Sequence, residues 1–383
     1  MNFQFNKYLY LTVLAIFLLV GVLGIAGVNY LVNPYGIYLS SDFSEDVFPE
    51  KPEMHNHVRM VKAHHLALQK PETVIIGSSR AQYGFDPAQM GDAYNLSIPG
   101  AALSEMHRYI EFAARMPRTK RIIFAVDFFM FNASYPVKPD FSQKRLDDIE
   151  NADFKTLFSI STLGHSVQTI RKQKRGTAMK PNGQMKAEQK DRVNAKLGTR
   201  QAFLNNERSY LNSVYFPPPQ KRFSFQSEDG RYSFADFSGI LNLCEERGIE
   251  LIVLIPPPHA RQLVLIDEAG LWSQYEEWKR RMVEVNDERF ALWDFSGFDR
   301  HTTEPIAEKM RYYWEGSHFK PELGTMILDR VLSKDRAVPI GVKLTSEAVV
   351  GHLKSMQRAK VAYVLRNPDD VREVREMVEK FGP

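Results

Sequence analysis

The stretch Thr73-Val74-Ile75-Ile76-Gly77-Ser78-Ser79-Arg80 decides how this chain is read. Four residues suited to a buried strand stop at a glycine. Two hydroxyls follow, where a parallel sheet would open at its carboxyl edge. Open α/β sheets gather ligands and reacting groups at that edge. A tight strand-to-helix turn would expose a serine hydroxyl there, with backbone N–H groups close by. The simpler role for Ser78 or Ser79 is to cap the helix that follows.

Working outward, short apolar runs recur at residues 93–96, 121–126, 249–255 and 290–295. Amphipathic helical spacing separates them, over residues 104–115, 234–247, 275–285 and 322–332. Strands alternating with helices imply βαβ units and a sheet covered on both faces. The expected fold is α/β, a flavodoxin-like three-layer sandwich of about five parallel strands. Pattern alone does not order the strands. An insertion over about residues 135–230 interrupts the alternation, far longer than an ordinary connection. Its middle, residues 171–200, carries ten Lys or Arg against Glu188 and Asp191, and Gly176, Pro181, Asn182 and Gly183 suggest partial mobility. It reads either as solvated surface or as a basic lid that meets an anionic polymer or lipid headgroups.

The amino terminus sets the compartment. Residues 8–32 hold no charge and are rich in Leu, Val, Ile and Phe, long enough to span a bilayer. The run exceeds a usual signal-peptide core and no A-x-A site follows it. Lys7 precedes it, and a single lysine favours a cytoplasmic amino terminus. The expected organisation is a short cytoplasmic segment 1–7, a signal anchor 8–32 in the inner membrane, and a linker with a helix 33–70, the helix over 55–69. The α/β domain 71–335 and a helical appendix 336–383 follow, on the periplasmic or extracellular side. Helical spacing marks the appendix at residues 346–359 and 368–381.

Composition is that of a folded chain: 383 residues, 44% hydrophobic, 25% charged, enough for a large core. A net charge of +4 makes no case for nucleic acid, and none is expected as a partner. The single Cys244 excludes an internal disulfide framework and suits a buried thiol. His55, His57, His64 and His65 include one pair on a common helical face, His57 and His64. No carboxylate or cysteine set completes a ligand group, so no metal is expected. Gly77 lacks the companion glycines of a P-loop or dinucleotide fingerprint, and no cofactor is expected.

Far downstream, Trp314-Glu315-Gly316-Ser317-His318 places a carboxylate three residues before a histidine, just ahead of Pro321. A carboxylate so placed can hold the imidazole tautomer and stabilise its charged form. Serine, histidine and acid are the ingredients of nucleophilic acyl transfer. Arg80 would bind a substrate anion or pair with Asp127. His259, after Pro256-Pro257-Pro258, would lie at the same sheet edge and line the pocket.

These residues resemble the SGNH/GDSL hydrolases. Gly77-Ser78-Ser79 resembles their Gly-Asp-Ser block, and Glu315-Gly316-Ser317-His318 resembles their Asp-x-x-His block. Asn95-Leu96-Ser97-Ile98-Pro99-Gly100 falls where that family has its oxyanion glycine. The resemblance covers most of residues 71–332. It implies Ser79 as nucleophile, His318 as base, Glu315 as orienter, and N–H groups of Ser79 and Gly100 at the oxyanion. A Gly-Ser-Ser start is similar to that of membrane-anchored members acting on cell-surface polymers, which leaves Ser78 a supporting role. The family's Gly-x-Asn-Asp block is replaced by Ala125-Val126-Asp127-Phe128-Phe129, where Asp127 can only accept; Asn132 is the substitute donor considered. The function so implied is an esterase or O-acyltransferase acting on an O-acylated polysaccharide or cell-envelope polymer, with a membrane acyltransferase as a candidate partner. An inactive binding or scaffold protein in polysaccharide export is the alternative.

Overall fold

A computed structural model of the chain describes residues 2–38, 42–332 and 340–383. It divides into two compact units: residues 1–68 with 142–180, and residues 69–141 with 181–383. The insertion is thereby shared between the two. Within its middle, residues 171–200, the helix Glu188–Leu197 is formed, while Gly176, Pro181, Asn182 and Gly183 lie in the connection between helices Ile160–Arg171 and Glu188–Leu197.

In the first unit, helix α1 (Asn2–Val32) contains a run Lys7–Val32 of mean hydropathy 2.7, long and apolar enough to cross a membrane. Helices Ile149–Leu157 and Ile160–Arg171 pack against it. The helix expected over residues 55–69 is two helices, Glu53–Asn56 and Val58–Gln69, because His57 leaves helical geometry at φ −119°, ψ 30°. The face proposed to hold His57 and His64 therefore belongs to no single helix.

The second unit is built on one sheet. Strands β1 (Thr73–Gly77), β2 (Ala93–Asn95), β3 (Arg121–Ala125), β4 (Glu250–Ile255), β5 (Ala291–Asp294) and β6 (Val342–Lys343) lie in the order β2-β1-β3-β4-β5-β6. The first five are parallel; β6 runs antiparallel to β5, which the sequence pattern does not reveal in a two-residue strand of exposed Val342 and Lys343. β1 is buried along its whole length, which is why it reads as a continuous apolar run rather than an alternating one. Ile75, Ile123, Ile252 and Leu254 share a core with Phe85, Leu323, Ile327 and Leu328, the last three on helix Pro321–Val331. Helices Ser233–Glu246 and Leu103–Ala114 pack together and onto β4 and β1. After β1 the chain crosses to β2 on one side and later to β3 on the other. The carboxyl ends of β1 and β3 thus flank the point where strand order reverses, the usual ligand crevice of such sheets.

The start of the expected appendix, residues 336–339, lies outside the described residues. Beyond it, helices Ala348–Arg366 and Pro368–Phe381 pack on helices Trp272–Asn286 and Ala260–Glu268 of this second unit. Asp294 at the end of β5 ion-pairs with buried Lys279 at 2.6 Å and accepts from His352 Nε2 at 2.8 Å. Burial opposes the charge on Asp294, yet Lys279 and His352 hold its carboxyl below the usual range.

Candidate active site

β1 ends on a forced glycine. A Cβ on Gly77 would come within 2.7 Å of the Ala125 carbonyl oxygen and 2.9 Å of Ala81 Cβ. Only glycine lets β1 turn this closely past the end of β3 into helix Ser79–Gly84. Ser78 caps that helix: its Oγ accepts from the Arg80 N–H at 3.2 Å and donates to Asp127. The capping role therefore falls to Ser78 and not to Ser79.

Ser79, in the first turn of the helix, is partly exposed, and its Oγ lies 2.8 Å from His318 Nε2. His318 Nδ1 is hydrogen-bonded to Glu315. Since a carboxylate can only accept, Nδ1 carries the proton and Nε2 faces Ser79 with its lone pair. Glu315 is held in turn by its own loop, accepting from the Ser317 N–H at 2.9 Å and the His318 N–H at 3.2 Å. The three residues are thus brought together across 239 positions of sequence.

Lys190, in helix Glu188–Leu197, was not singled out by the sequence. Its Nζ lies 3.6 Å from Glu315 Oε1 and 3.2 Å from His318 Nδ1. The signal available was the basic run to which it belongs. The same helix grips the loop twice more: Asp191 accepts from Trp314 Nε1 at 2.7 Å, and Asn194 Nδ2 donates to the Trp314 carbonyl. Burial and then the Lys190 ammonium push the His318 imidazole below its ordinary value, with Glu315 opposing. Burial disfavours the Glu315 carboxylate, but the charges of His318 and Lys190 hold it well below the usual carboxylate range.

Arg80 and Asp127 form a buried ion pair. Arg80 Nε also donates to the Ser317 carbonyl and Nη2 to that of Pro256, each at 2.9 Å. Of the two roles open to Arg80, pairing with Asp127 is the one observed. The guanidinium ties the ends of β1, β3 and β4 to the histidine loop.

Two expectations are corrected. Asn132 is no oxyanion donor: its Nδ2 is spent on the Tyr215 and Arg222 carbonyls at 3.0 and 3.2 Å, and its Oδ1 accepts from Ser134 and Ser224 N–H groups. It fastens the end of the insertion to the loop after β3. His259 does not line the site. It caps helix Ala260–Glu268, with Nδ1 accepting from the Arg261 N–H at 3.2 Å and Nε2 donating to the Glu304 carbonyl at 2.7 Å. Burial pushes its imidazole down to about 4, so it remains neutral. Gly100 follows β2 in the left-handed region at φ +58°, and its carbonyl accepts from the Tyr135 hydroxyl at 3.1 Å. Cys244 is fully buried and its thiol is pushed up to about 12, which leaves it inert as a nucleophile.

No protein-family model matches this chain, and no curated protein matches it.

Proposed function

We propose that this chain is a membrane-anchored serine hydrolase or O-acyltransferase of the SGNH/GDSL kind. Its substrates would be acyl esters on a cell-surface or exported polysaccharide, met on the periplasmic or extracellular side. The observation that carries the proposal is the 2.8 Å contact of Ser79 Oγ with His318 Nε2, whose far nitrogen is bonded to Glu315. The strand order β2-β1-β3-β4-β5 supports the flavodoxin-like reading, with Ser79 beside the reversal between β1 and β3.

In the proposed reaction Ser79 Oγ attacks the ester carbonyl carbon while His318 Nε2 takes the hydroxyl proton. Glu315 steadies the imidazolium so formed. The Ser79 and Gly100 N–H groups are the proposed donors to the tetrahedral oxyanion. On collapse the C–O bond to the sugar breaks, and His318 returns its proton to the departing sugar oxygen. Water or a second hydroxyl then attacks the acyl-Ser79 carbonyl carbon with His318 again as base; the acyl C–O bond to Ser79 breaks, and His318 returns the proton to Ser79 Oγ. Water makes the protein an esterase; an acceptor hydroxyl makes it a transferase.

The inactive-scaffold alternative rests on Asp127, which stands in place of the oxyanion donor, and on the basic insertion. Engagement of Asp127 by Arg80 and Ser78 gives that carboxylate a structural use and removes it as an argument against catalysis. Losing one oxyanion donor costs about 2.7–4 kcal/mol in comparable sites, which slows a reaction without abolishing it. The test is turnover of a generic acetyl ester by the full chain in detergent. Ser79→Ala is expected to lower kcat/KM on the order of 10⁴–10⁶-fold. Equal turnover by wild type and variant would refute the assignment. A carboxyl-terminal reporter read from either side of the membrane tests the orientation.

A further inference from the structure

Helix Ile160–Arg171 is built inside out. Its small polar residues Thr162, Ser166 and Thr169 are buried. Its apolar residues Ile160, Val167 and Ile170 are exposed, Ile160 to 75%. Spacings of seven and three put those three on one stripe. A helix of a water-facing domain has the opposite pattern. Small polar side chains turned inward, with apolar ones outward, suit helices packed together in lipid.

The buried stripe meets α1. Ser166 Oγ donates to Asn29 Oδ1 at 3.0 Å, and Asn29 Nδ2 donates to the Leu157 and Ser159 carbonyls at 2.8 and 3.0 Å. Asn29 thereby satisfies the backbone at the elbow where helix Ile149–Leu157 gives way to Ile160–Arg171. Exposed apolar side chains flank that elbow, Phe154 at 67% on one side and Ile160 on the other.

The depth of the elbow can be read from α1. Tyr8 and Tyr10 are exposed near one end of its apolar run and Tyr30 near the other. At about 1.5 Å per residue the two sets are about 30–33 Å apart, close to the ~30 Å thickness of a hydrocarbon core. Exposed tyrosines at both ends fit the aromatic belts of a spanning helix. Asn29 adjoins Tyr30, so the elbow sits level with the interface.

We propose that the Phe154–Ile160 elbow inserts into the lipid bilayer beside α1 and forms a second, interfacial membrane contact. Its occupant is lipid because the elbow continues the apolar surface of α1 at the height where headgroups give way to acyl chains. Insertion there buries an amphipathic face roughly 5–10 Å deep. The inference rests on α1 spanning the membrane, and not on any catalytic role.

The test uses the full chain in phosphatidylcholine–phosphatidylglycerol vesicles, with Ile160→Cys carrying an environment-sensitive fluorophore. Lys354→Cys, an exposed position in the second unit, is the control. The native Cys244 is buried and escapes labelling. The expected result is blue-shifted emission at position 160, most of it lost when brominated lipids replace ordinary ones, with neither effect at 354. Water-like emission at 160 in protein that resists alkaline extraction would overturn the elbow contact and leave the anchor standing. Blue-shifted emission that brominated lipids do not quench would also overturn it, because a protein partner would then cover the face. Release by alkaline wash would remove the anchor itself and the elbow with it.

Discussion

Two adjacent serines divide the work at the end of β1. Ser78 caps helix Ser79–Gly84 and engages Asp127, while Ser79 reaches His318. Ser78→Ala is expected to cost stability by about 1 kcal/mol, as for a lost cap, measured by denaturant unfolding, while ester turnover persists. Glu315→Gln should leave the fold intact and lower kcat about 10⁴-fold, because an amide no longer fixes the His318 tautomer. Lys190 sets a different property. His318 must be neutral to take the Ser79 proton, so kcat/KM should fall as pH drops through its pKa. That pKa is depressed below the ordinary 6.5, which places the acid limb below that pH. The charged groups facing the imidazole are Glu315, Lys190 and Arg80. Lys190→Met removes one of the two cations, so the imidazole protonates more readily and the acid limb should move to higher pH. Lys190→Arg should keep the limb in place, whereas a merely structural lysine would move neither.

At the scale of elements, helix Glu188–Leu197 acts as a strap on the histidine loop through Lys190, Asp191 and Asn194. This helix buries no residue of its own, so its position depends on these polar contacts. Asp191→Ala should therefore raise KM or lower kcat with little loss of thermal stability, since Trp314 Nε1 loses its partner and the loop loosens. The carboxyl-terminal helices have the opposite character. His352 joins the Lys279–Asp294 pair, and Arg261, bonded to Glu207, also binds Asp370 at 3.1 Å. Lys279→Met would remove the buried ammonium from Asp294 at the end of β5 and leave that carboxylate only the His352 and Ser296 hydrogen bonds. It is expected to cost about 3–5 kcal/mol, seen as a lower midpoint in urea.

For the whole second unit, two buried carboxylates link stability to pH. Asp294 and Glu315 both have folded-state pKa values below their ordinary 3.8 and 4.5. Their contribution is present above those ordinary values and is lost as pH falls below them, so acid unfolding should begin there. Much of this unit was legible in the sequence. Buried parallel strands leave continuous apolar runs, and Ser79, Glu315 and His318 stand at the ends of recognisable elements. Strand order was not legible, since β1 meets β2 and β3 through backbone hydrogen bonds that leave no side-chain signature. Nor was the fate of Asn132 and His259, whose side chains bond to backbone carbonyls that no local pattern announces. Lys190 was hidden among ten similar charges, because only the tertiary path of its helix separates it from the others. The most direct measurement is to treat the full chain with a fluorophosphonate and map the adduct by peptide mass spectrometry. The account predicts a single adduct on Ser79, lost in Ser79→Ala, retained in Ser78→Ala and greatly slowed by His318→Ala. No adduct on folded protein, or an adduct that persists in Ser79→Ala, would contradict it.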